Sequence, residues 1–234
     1  MDASKPVVFQ FSLGDRWMQE MVDPGNMQEP SFRETIIKLR EVAIVQSAWS
    51  ADEAVKLLGQ NQTPHAILIT DPGIVKPKNE KLSRQVIEYA RNGGTVVLTL
   101  CFSSNIAPDK FSSYMKEWDL PWKFHSYTRE SCVVNTSAVG PRGVQRVHGL
   151  PATYESKSVF ITNVAHEASW YLPEPYDPDD YESEESFKAL PPRKETPFAF
   201  SKVGNGYLGF TGDVNQHETT DTAVMTMLGL NNLL

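Results

Sequence analysis

Four short apolar runs constrain the fold of this chain more than any other feature of its sequence. Each is shorter than a helix needs, and each is apolar on both faces that a strand would present. The runs lie at 7–11, 42–45, 66–69 and 95–100. Between them, apolar residues recur at helical spacing. We therefore predict an α/β fold, a doubly wound and mostly parallel sheet flanked by helices, with right-handed crossovers.

Serine-led segments mark where two of the helices begin. At 31–34 and again at 50–53, a serine stands three residues before a glutamate, which is the pattern of a capping box. The stretch 16–30 is rich in Met, Gln and Pro, and we predict a loop there. The inward faces of the predicted helices carry Phe32, Ile36 and Leu39, then Ala54, Val55 and Leu58, then Leu82, Val86 and Tyr89, and then Phe111, Met115 and Trp118.

The second half of the chain is less regular and predicts added β-hairpins. Strands are expected at 123–127, 131–135, 159–162, 166–172, 198–203 and 207–210. The first two should form a hairpin. So should the last two, because Gly204-Asn205-Gly206 is a strong turn signal. Thr219 is expected to cap a final helix that Gly229 ends.

The length and the cysteine content indicate one cytoplasmic domain. A chain of 234 residues fits a single domain, 1–234, and can bury a core without disulfides or metals. Its two cysteines, Cys101 and Cys132, suggest no disulfide framework, which favours a reducing compartment. The N-terminal residues are unlike a signal peptide and no apolar run approaches ~20 residues, so we expect no contact with a membrane.

The net charge of −7 is concentrated in one acidic segment at 173–186. This segment holds seven acids and no base. We expect a solvated loop there, and binding of a cation or a basic partner is the alternative. Because the chain has no basic stripe, we do not expect it to bind nucleic acid.

The candidate site is a crevice at the carboxyl ends of the predicted parallel strands. Ligands bind in that place in open α/β sheets. The loops there are rich in small and polar residues, which suits a small-molecule substrate. The predicted substrate-binding residues are Ser12, Gly14, Asp71, Gly73, Ser103, Ser104, Thr211 and Asn215.

Cys101 directly follows a predicted strand and precedes a short helical turn. A thiol in that place would point into the crevice, where the following amides can lower its pKa and form an oxyanion hole. Cys101 is therefore a candidate nucleophile. The alternative is a small buried hydrophobic residue at a strand end, which is the role that we expect for Cys132.

A nucleophile needs a base, and His217 is the candidate for that role. It comes just after the last predicted strand, and Asp213 precedes it as a candidate catalytic partner. The alternatives are an exposed loop histidine and, for Asp213, a turn residue beside Gly212. The remaining histidines show no metal-ligand spacing, and Gly204-Asn205-Gly206 is not followed by a helix as a phosphate loop would be. We therefore expect no metal and no cofactor.

Three segments together resemble the class I glutamine amidotransferase-like superfamily. They are the strand followed by Asp71-Pro72-Gly73, the Gly93-Gly94 pair before the strand that ends at Cys101, and the terminal run Gly-Tyr-Leu-Gly-Phe-Thr-Gly-Asp. The element order of most of the chain is similar to that superfamily, and to its ThuA-like branch and fungal members in particular. The resemblance implies a flavodoxin-like sheet, with Cys101 at the nucleophile position and Gly73 in the oxyanion loop.

The chain departs from this family's pattern at both catalytic positions. Where amidotransferases carry Gly-x-Cys-x-Gly, the segment 99–103 reads Thr-Leu-Cys-Phe-Ser, without either glycine. The family's His-Pro-Glu after the last strand is replaced by Thr211-Gly212-Asp213. The resemblance therefore implies a related scaffold without the usual triad.

Three functions are compatible with these features. The first is a small-molecule enzyme, a hydrolase, lyase or isomerase that uses Cys101 or Asp213, with a role in fungal specialised metabolism suggested by the resemblance. The second is a non-catalytic binding module for a sugar or another polar metabolite. The third is an interaction protein whose segment 173–186 recruits a basic partner. An accessible Cys101 or Asp213, paired with a second polar group in the crevice, would favour the enzyme. The sequence leaves the oligomeric state open.

We predict that the protein has no glutaminase activity. Thr211 holds the position of the family's base, and a hydroxyl cannot take a proton from a thiol as imidazole does. The purified protein should therefore release no ammonia from glutamine above the buffer blank. Ammonia release that disappears in Cys101→Ala would contradict this prediction.

Overall fold

A computed structural model describes residues 5–26, 30–60, 62–138, 140, 149–175 and 193–230. The α-helices in these ranges are α1 (Arg16–Val22), α2 (Pro30–Val42), α3 (Ala51–Leu58), α4 (Glu80–Arg91), α5 (Cys101–Asn105), α6 (Pro108–Glu117) and α7 (Glu218–Met227). The strands are β1 (Val7–Phe11), β2 (Ile44–Ala48), β3 (Ala66–Ile69), β4 (Thr95–Leu98), β5 (Lys123–Val134), β6 (Thr153–Thr162), β7 (Tyr171–Pro173), β8 (Phe198–Val203) and β9 (Gly206–Thr211). Short 3-10 helices lie at Pro72–Val75, Pro77–Asn79 and His166–Ala168.

The larger sheet has the strand order β2-β1-β3-β4-β9-β8. Its strands pair in parallel, except that β8 is antiparallel to β9. Alternate residues of a strand point to opposite faces, so Phe9 and Phe11 enter one apolar core and Val8 the other. Helices α3, α4 and α6 cover the first face, and α1, α2 and α7 cover the second. The predicted α/β class, with a mostly parallel sheet flanked by helices, is confirmed.

A smaller antiparallel sheet, with the strand order β6-β5-β7, adjoins the β9–β8 end of the larger sheet. Isolated backbone bridges connect the two sheets. They pair Ser158 with Asp213, Ile161 with Thr196, and Ser169 with Ala199. The end of β9, where the predicted site residues lie, is therefore in contact with both sheets.

The predicted hairpin at 123–127 and 131–135 is wrong. Both segments belong to one strand, β5, which pairs along its length with β6. The polar residues between them suggested a turn, but a strand with a solvated face carries polar side chains without turning. The hairpin of β8 and β9 is confirmed, and Gly204 in its turn has the left-handed φ of +58° that favours glycine.

Some predicted helix and strand positions also need correction. The stretch 16–30, predicted as a loop, contains α1, whose Met18 and Val22 are buried. β2 begins later than predicted because α2 continues to Val42. Val55, predicted to point inward on α3, is exposed. No described helix has the length and apolarity needed to cross a membrane.

Further differences lie after β6. The predicted strand at 166–172 is a 3-10 helix followed by β7. The N-cap of α7 is His217, so Thr219 is not the cap. Gly229 follows α7 with a φ of +74°, as predicted for a helix end. From residue 176 onward, the acidic segment 173–186 lies outside the described residues, and its role stays a prediction.

We predict that Gly212→Ala strongly destabilises the fold. A Cβ atom at Gly212 would lie 1.9 Å from the carbonyl oxygen of Val159, where the backbones of the two sheets cross. Only a backbone movement can relieve this clash, so we expect a loss of about 2–3 kcal/mol in the free energy of unfolding, measured with urea. Gly59→Ala is the control, because its Cβ would meet the nearest atom at 3.4 Å. Equal unfolding midpoints for the two variants would contradict the prediction.

Candidate functional site

The strand order reverses between β1 and β3, which is where a crevice is expected. The structure brings Gly14, Asp71 and Gly73 together at this point. The two loops are packed tightly against each other, since a Cβ at Gly73 would lie 2.2 Å from the Leu13 backbone and one at Gly14 would lie 2.9 Å from the Asp71 carboxyl group. Glycine at these positions therefore permits loop packing, and it does not widen a crevice.

Ser12, also predicted to bind substrate, belongs to a buried polar network. Its Oγ lies 2.7 Å from Oγ1 of Thr70 and accepts a hydrogen bond from Nε2 of Gln10 at 3.1 Å. Oε1 of Gln10 in turn accepts from the Ser47 hydroxyl at 3.2 Å. These bonds link β1 with β2 and β3, so the Ser12 hydroxyl is already engaged within the protein.

Asp71 is a buried carboxyl group at the same edge of the sheet. Its Oδ1 accepts the Gly73 amide at 2.8 Å. Burial raises the pKa of Asp71, and the amides of Gly73 and Gly14 only partly oppose that shift. Buried carboxyl groups with raised pKa values cluster at functional sites. Here the carboxyl group also holds the β1 and β3 loops together.

The end of β4 forms a strained strand-to-helix turn of the kind that presents a nucleophile in α/β hydrolases. Leu100 has φ 59° and ψ −120°, a conformation that is rare for a bulky residue. Helix α5 begins at the next residue, Cys101. The strained position is therefore occupied by Leu100, one residue before the predicted nucleophile.

Cys101 consequently lies in the core. Its side chain is 1% exposed, and its Sγ is 4.0 Å from Sδ of Met21. Burial raises the pKa of the thiol to about 12, and the nearby Asp71 carboxylate adds to this shift. The expectation of an accessible thiolate at Cys101 is wrong, because the strained turn places the cysteine one step into the helix. Cys132 is buried, as predicted.

The other residues predicted at this edge are divided between the interior and the surface. Thr211 is buried, and its Oγ1 lies 2.6 Å from Oγ1 of Thr99, the residue that follows the neighbouring strand β4. Ser103 is buried, and its hydroxyl has no hydrogen-bond partner among the residues that the structure describes. Ser104 and Asn215 are exposed and accessible to a ligand. In the described part of the chain, no three His, Cys, Asp or Glu side chains are arranged to hold a metal ion.

Asp213 and His217, both predicted as site residues, are in direct contact. Nδ1 of His217 lies 2.8 Å from Oδ2 of Asp213. Asp213 follows β9 closely and His217 is the N-cap residue of α7, so the loop between this strand and this helix sets their relative position. The carboxyl group is fully buried, whereas the imidazole side chain is 42% exposed.

Hydrogen bonds keep the buried Asp213 ionised. Burial by itself would raise its pKa, but bonds from the Thr220 hydroxyl and from the amides of His217 and Asn215 outweigh that effect and hold the pKa below its ordinary value. The Thr220 hydroxyl donates at 2.6 Å and the His217 amide at 2.8 Å. An ionised carboxylate only accepts, so Nδ1 of His217 must be the donor in their contact.

When the His217 ring carries a single proton, this contact places that proton on Nδ1 and leaves Nε2 as an acceptor. A carboxylate bound to Nδ1 fixes the orientation of the ring and stabilises the imidazolium that forms when Nε2 takes up a proton. Tyr154 of β6 packs edge-on against the ring, with 6.0 Å between centroids, and its hydroxyl lies 3.0 Å from Oγ1 of Thr220. The arrangement can take a proton from a water molecule or a substrate.

Sequence reasoning missed Tyr154, Thr220 and Leu100 as parts of this region. Tyr154 lies far from His217 along the chain, in a different sheet, so no local pattern connects them. Thr220 stands in the first turn of α7, where a hydroxyl three residues after His217 was an available signal. Leucine is not a turn residue, so nothing in the sequence indicates the left-handed backbone at Leu100.

Comparison with known proteins reveals similar folds at low sequence identity. No protein-family model and no curated protein matches the chain. Among solved structures, a β-galactosidase from Rahnella sp. R3 is 13% identical over 97% of this chain and 32% of that chain, with a TM-score of 0.53. A GH42 β-galactosidase is 12% identical over 97% and 30%, with a TM-score of 0.50. A cytoplasmic protein from Salmonella typhimurium LT2 is 11% identical over 95% of this chain and 98% of that chain, with a TM-score of 0.50.

These similarities describe the fold alone. The chain spans about a third of the length of the β-galactosidases that it matches, but nearly the whole Salmonella protein. A similar arrangement therefore occurs both as a part of larger chains and as almost an entire chain. The role of Asp213 and His217 has to be argued from their own geometry.

We predict that neither cysteine reacts with iodoacetamide in the folded protein at about pH 7. The thiolate is the reactive form of cysteine, and burial raises the pKa of both Cys101 and Cys132 to about 12. Mass spectrometry should find both thiols unmodified under native conditions and both alkylated in guanidinium, which serves as the internal control. Selective native labelling of Cys101 would show that its thiol is accessible after all.

Proposed function

We propose that the protein is a small-molecule enzyme in which His217, oriented by Asp213, transfers a proton to or from the substrate. The proposed scaffold is a single amidotransferase-like domain of the ThuA-like kind, without glutaminase activity. The observation that carries the proposal is the 2.8 Å contact between the His217 Nδ1 and the buried Asp213 carboxylate. Reactions that begin with proton transfer include hydrolysis by an activated water, elimination and isomerisation.

The environment of Asp213 supports this role for the imidazole. The Asp213 carboxylate accepts from Nδ1 of His217 at 2.8 Å, so Nε2 is the ring nitrogen that faces away from the carboxylate. The carboxylate is held by the amides of Asn215 and His217 and by the Thr220 hydroxyl, so the ring orientation is set before substrate arrives. Partial exposure of His217 gives substrate access to the ring.

The order of the parallel strands supports the flavodoxin-like part of the proposal. The strand order β2-β1-β3-β4-β9 corresponds to the order 2-1-3-4-5 of doubly wound flavodoxin-like sheets. The strained turn at Leu100 lies at the end of β4, as a nucleophile elbow would. Leucine has no nucleophilic group, which favours a reaction without a covalent intermediate at that turn.

A non-catalytic binding module for a sugar or another polar metabolite is the second candidate. The backbone amides of Asn215 and His217 both donate hydrogen bonds to the Asp213 carboxylate. The same hydrogen bonds occur where a carboxylate only shapes a turn before a helix. Under this alternative, His217 contacts a ligand and no product forms. Turnover therefore distinguishes the two functions.

The test compares turnover by the wild-type protein with turnover by His217→Gln. Both are incubated with fractionated small-molecule extracts, and mass spectrometry follows the loss of substrates and the appearance of products. We expect a substrate–product pair with the wild type and a rate about 10²–10⁴-fold lower with His217→Gln, the range that general acid–base catalysis contributes. Asp213→Asn should also lower the rate, because an amide no longer selects the required tautomer of the ring.

His125→Gln is the matched control, since His125 is exposed on β5. It should turn substrate over at the wild-type rate. Thermal stabilisation of the wild type by an extract fraction, without any product, would support the binding module. Equal turnover by the wild type and His217→Gln would refute the proposed role of His217.

A further inference from the structure

The loop between β9 and α7 contains one residue with an unfavourable backbone conformation, Gln216. Its φ is +53°, in the left-handed region that glycine adopts without steric cost and other residues rarely adopt. Asparagine and aspartate tolerate this region better than most residues, and glutamine does not share that preference. A left-handed glutamine therefore persists only because the surrounding structure holds it.

One hydrogen bond fixes the side chain of Gln216. The residue is 7% exposed, and its Nε2 donates to Oδ1 of Asp221 at 2.9 Å. Its Oε1 is buried and has no hydrogen-bond partner within the described part of the chain. Among the described residues, Asp221 therefore determines where this side-chain amide lies.

Asp221 is itself anchored to a helix that is distant along the chain. It lies on α7 and is 5% exposed. Its Oδ1 accepts from the Thr35 hydroxyl at 2.5 Å, and its Oδ2 accepts from Nζ of Lys38 at 2.8 Å. Both donors lie on α2, so this carboxyl group joins α2 to α7. Hydrogen bonds within an ion pair are stronger than those between neutral groups, so Gln216 is bound to a firmly held partner.

The backbone of Gln216 sets the direction of the His217 amide. The nitrogen of that amide belongs to the rigid peptide plane that follows Gln216, so a rotation at Gln216 turns the whole plane. In the structure, the His217 amide nitrogen and Nδ1 both lie 2.8 Å from Oδ2 of Asp213. A right-handed backbone at Gln216 would turn the amide away and would move the imidazole with it. The left-handed conformation thus lets one carboxylate oxygen accept from both donors.

We propose that Gln216 is a positioning residue that brings both donors of His217 to the Asp213 carboxylate. The hydrogen bond to Asp221 holds the Gln216 side chain and so maintains the left-handed backbone against its steric cost. Any contribution of Gln216 to turnover rests on the function proposed for His217, whereas its contribution to the position of the ring does not. The ring can therefore be studied without a substrate.

The test measures which ring nitrogen of His217 carries the proton. The method is ¹H–¹⁵N NMR of the full chain at alkaline pH, where a histidine ring carries a single proton. In the wild type we expect that proton on Nδ1, because the Asp213 carboxylate accepts from it. Gln216→Met keeps the length of the side chain and removes its donor. It should move the ratio of the two tautomers toward the Nε2-protonated form by about tenfold, as the loss of one hydrogen bond does.

Gln216→Gly separates the effect of the backbone from that of the side chain. Glycine adopts the left-handed conformation without steric cost, so the tautomer ratio of this variant should lie between those of the wild type and Gln216→Met. A shift as large as that in Gln216→Met would overturn the role given to the backbone.

Asn163→Ala is the matched control. Asn163 is also left-handed, with a φ of +60°, and its side-chain amide donates to the Pro121 carbonyl at 3.2 Å. It directly follows β6, at the opposite end of that strand from Tyr154, so the variant should keep the wild-type tautomer ratio of His217. The same shift in Asn163→Ala as in Gln216→Met would show a general loosening of the fold and would overturn the proposal.

The ring measurement separates this proposal from the proposed function. A wild-type tautomer ratio in Gln216→Met would overturn the positioning role, even if His217→Gln abolishes turnover. A wild-type ring protonated at Nε2 would overturn it as well. The expected shift in Gln216→Met would support the positioning role, even if the wild-type protein turns over no substrate.

Discussion

The backbone junction after β9 is the contact on which the rest of this structure depends. The Gly212 amide donates to the Pro197 carbonyl at 2.7 Å, and the Gly212 carbonyl accepts from the Val159 amide at 2.8 Å. The bond with Val159 joins the smaller antiparallel sheet to the larger one, at an approach that leaves no room for a side chain at Gly212. The next residue, Asp213, holds Thr220 in the first turn of α7. One short segment, residues 212–213, therefore fixes the position of this helix relative to both sheets.

The candidate site follows from that junction. The loop between β9 and α7 brings Asp213 and His217 together, and Tyr154 reaches the imidazole ring from β6 across the two sheets. At the end of the neighbouring strand β4, Leu100 occupies the strained turn, and the thiol of the next residue, Cys101, is buried. Strain of this kind persists only where the surrounding structure imposes it. In the proposed function, the reaction takes place at the end of β9, whereas β4 contributes only the strained turn.

Asp213 and His217 can be predicted from the sequence because they follow the last strand within a few residues, so a local loop is enough to bring them into contact. Cys101 cannot be placed in the same way. A shift of one residue at the strained turn moves a side chain from the crevice into the core, and no local pattern reports that shift. Gly73 shows a similar ambiguity, since glycine at a strand end suits both a ligand site and two loops in close contact. A Cβ atom at Gly73 would lie 2.2 Å from the Leu13 backbone, so glycine is needed here for the contact between the two loops.

The sequence by itself determined the α/β class, the first four strands with most of their helices, and the β8–β9 hairpin. Hydrophobic periodicity and turn chemistry are local properties, so short windows of sequence carry them. The tertiary structure alone decided that β9 lies beside β4, that 123–134 is one strand, and that Asp213 is ionised while the Cys101 thiol is not. These outcomes depend on contacts such as that between Thr99 and Thr211, which are 112 residues apart. Burial and hydrogen bonding, which set side-chain orientation and charge, exist only after such distant segments have met.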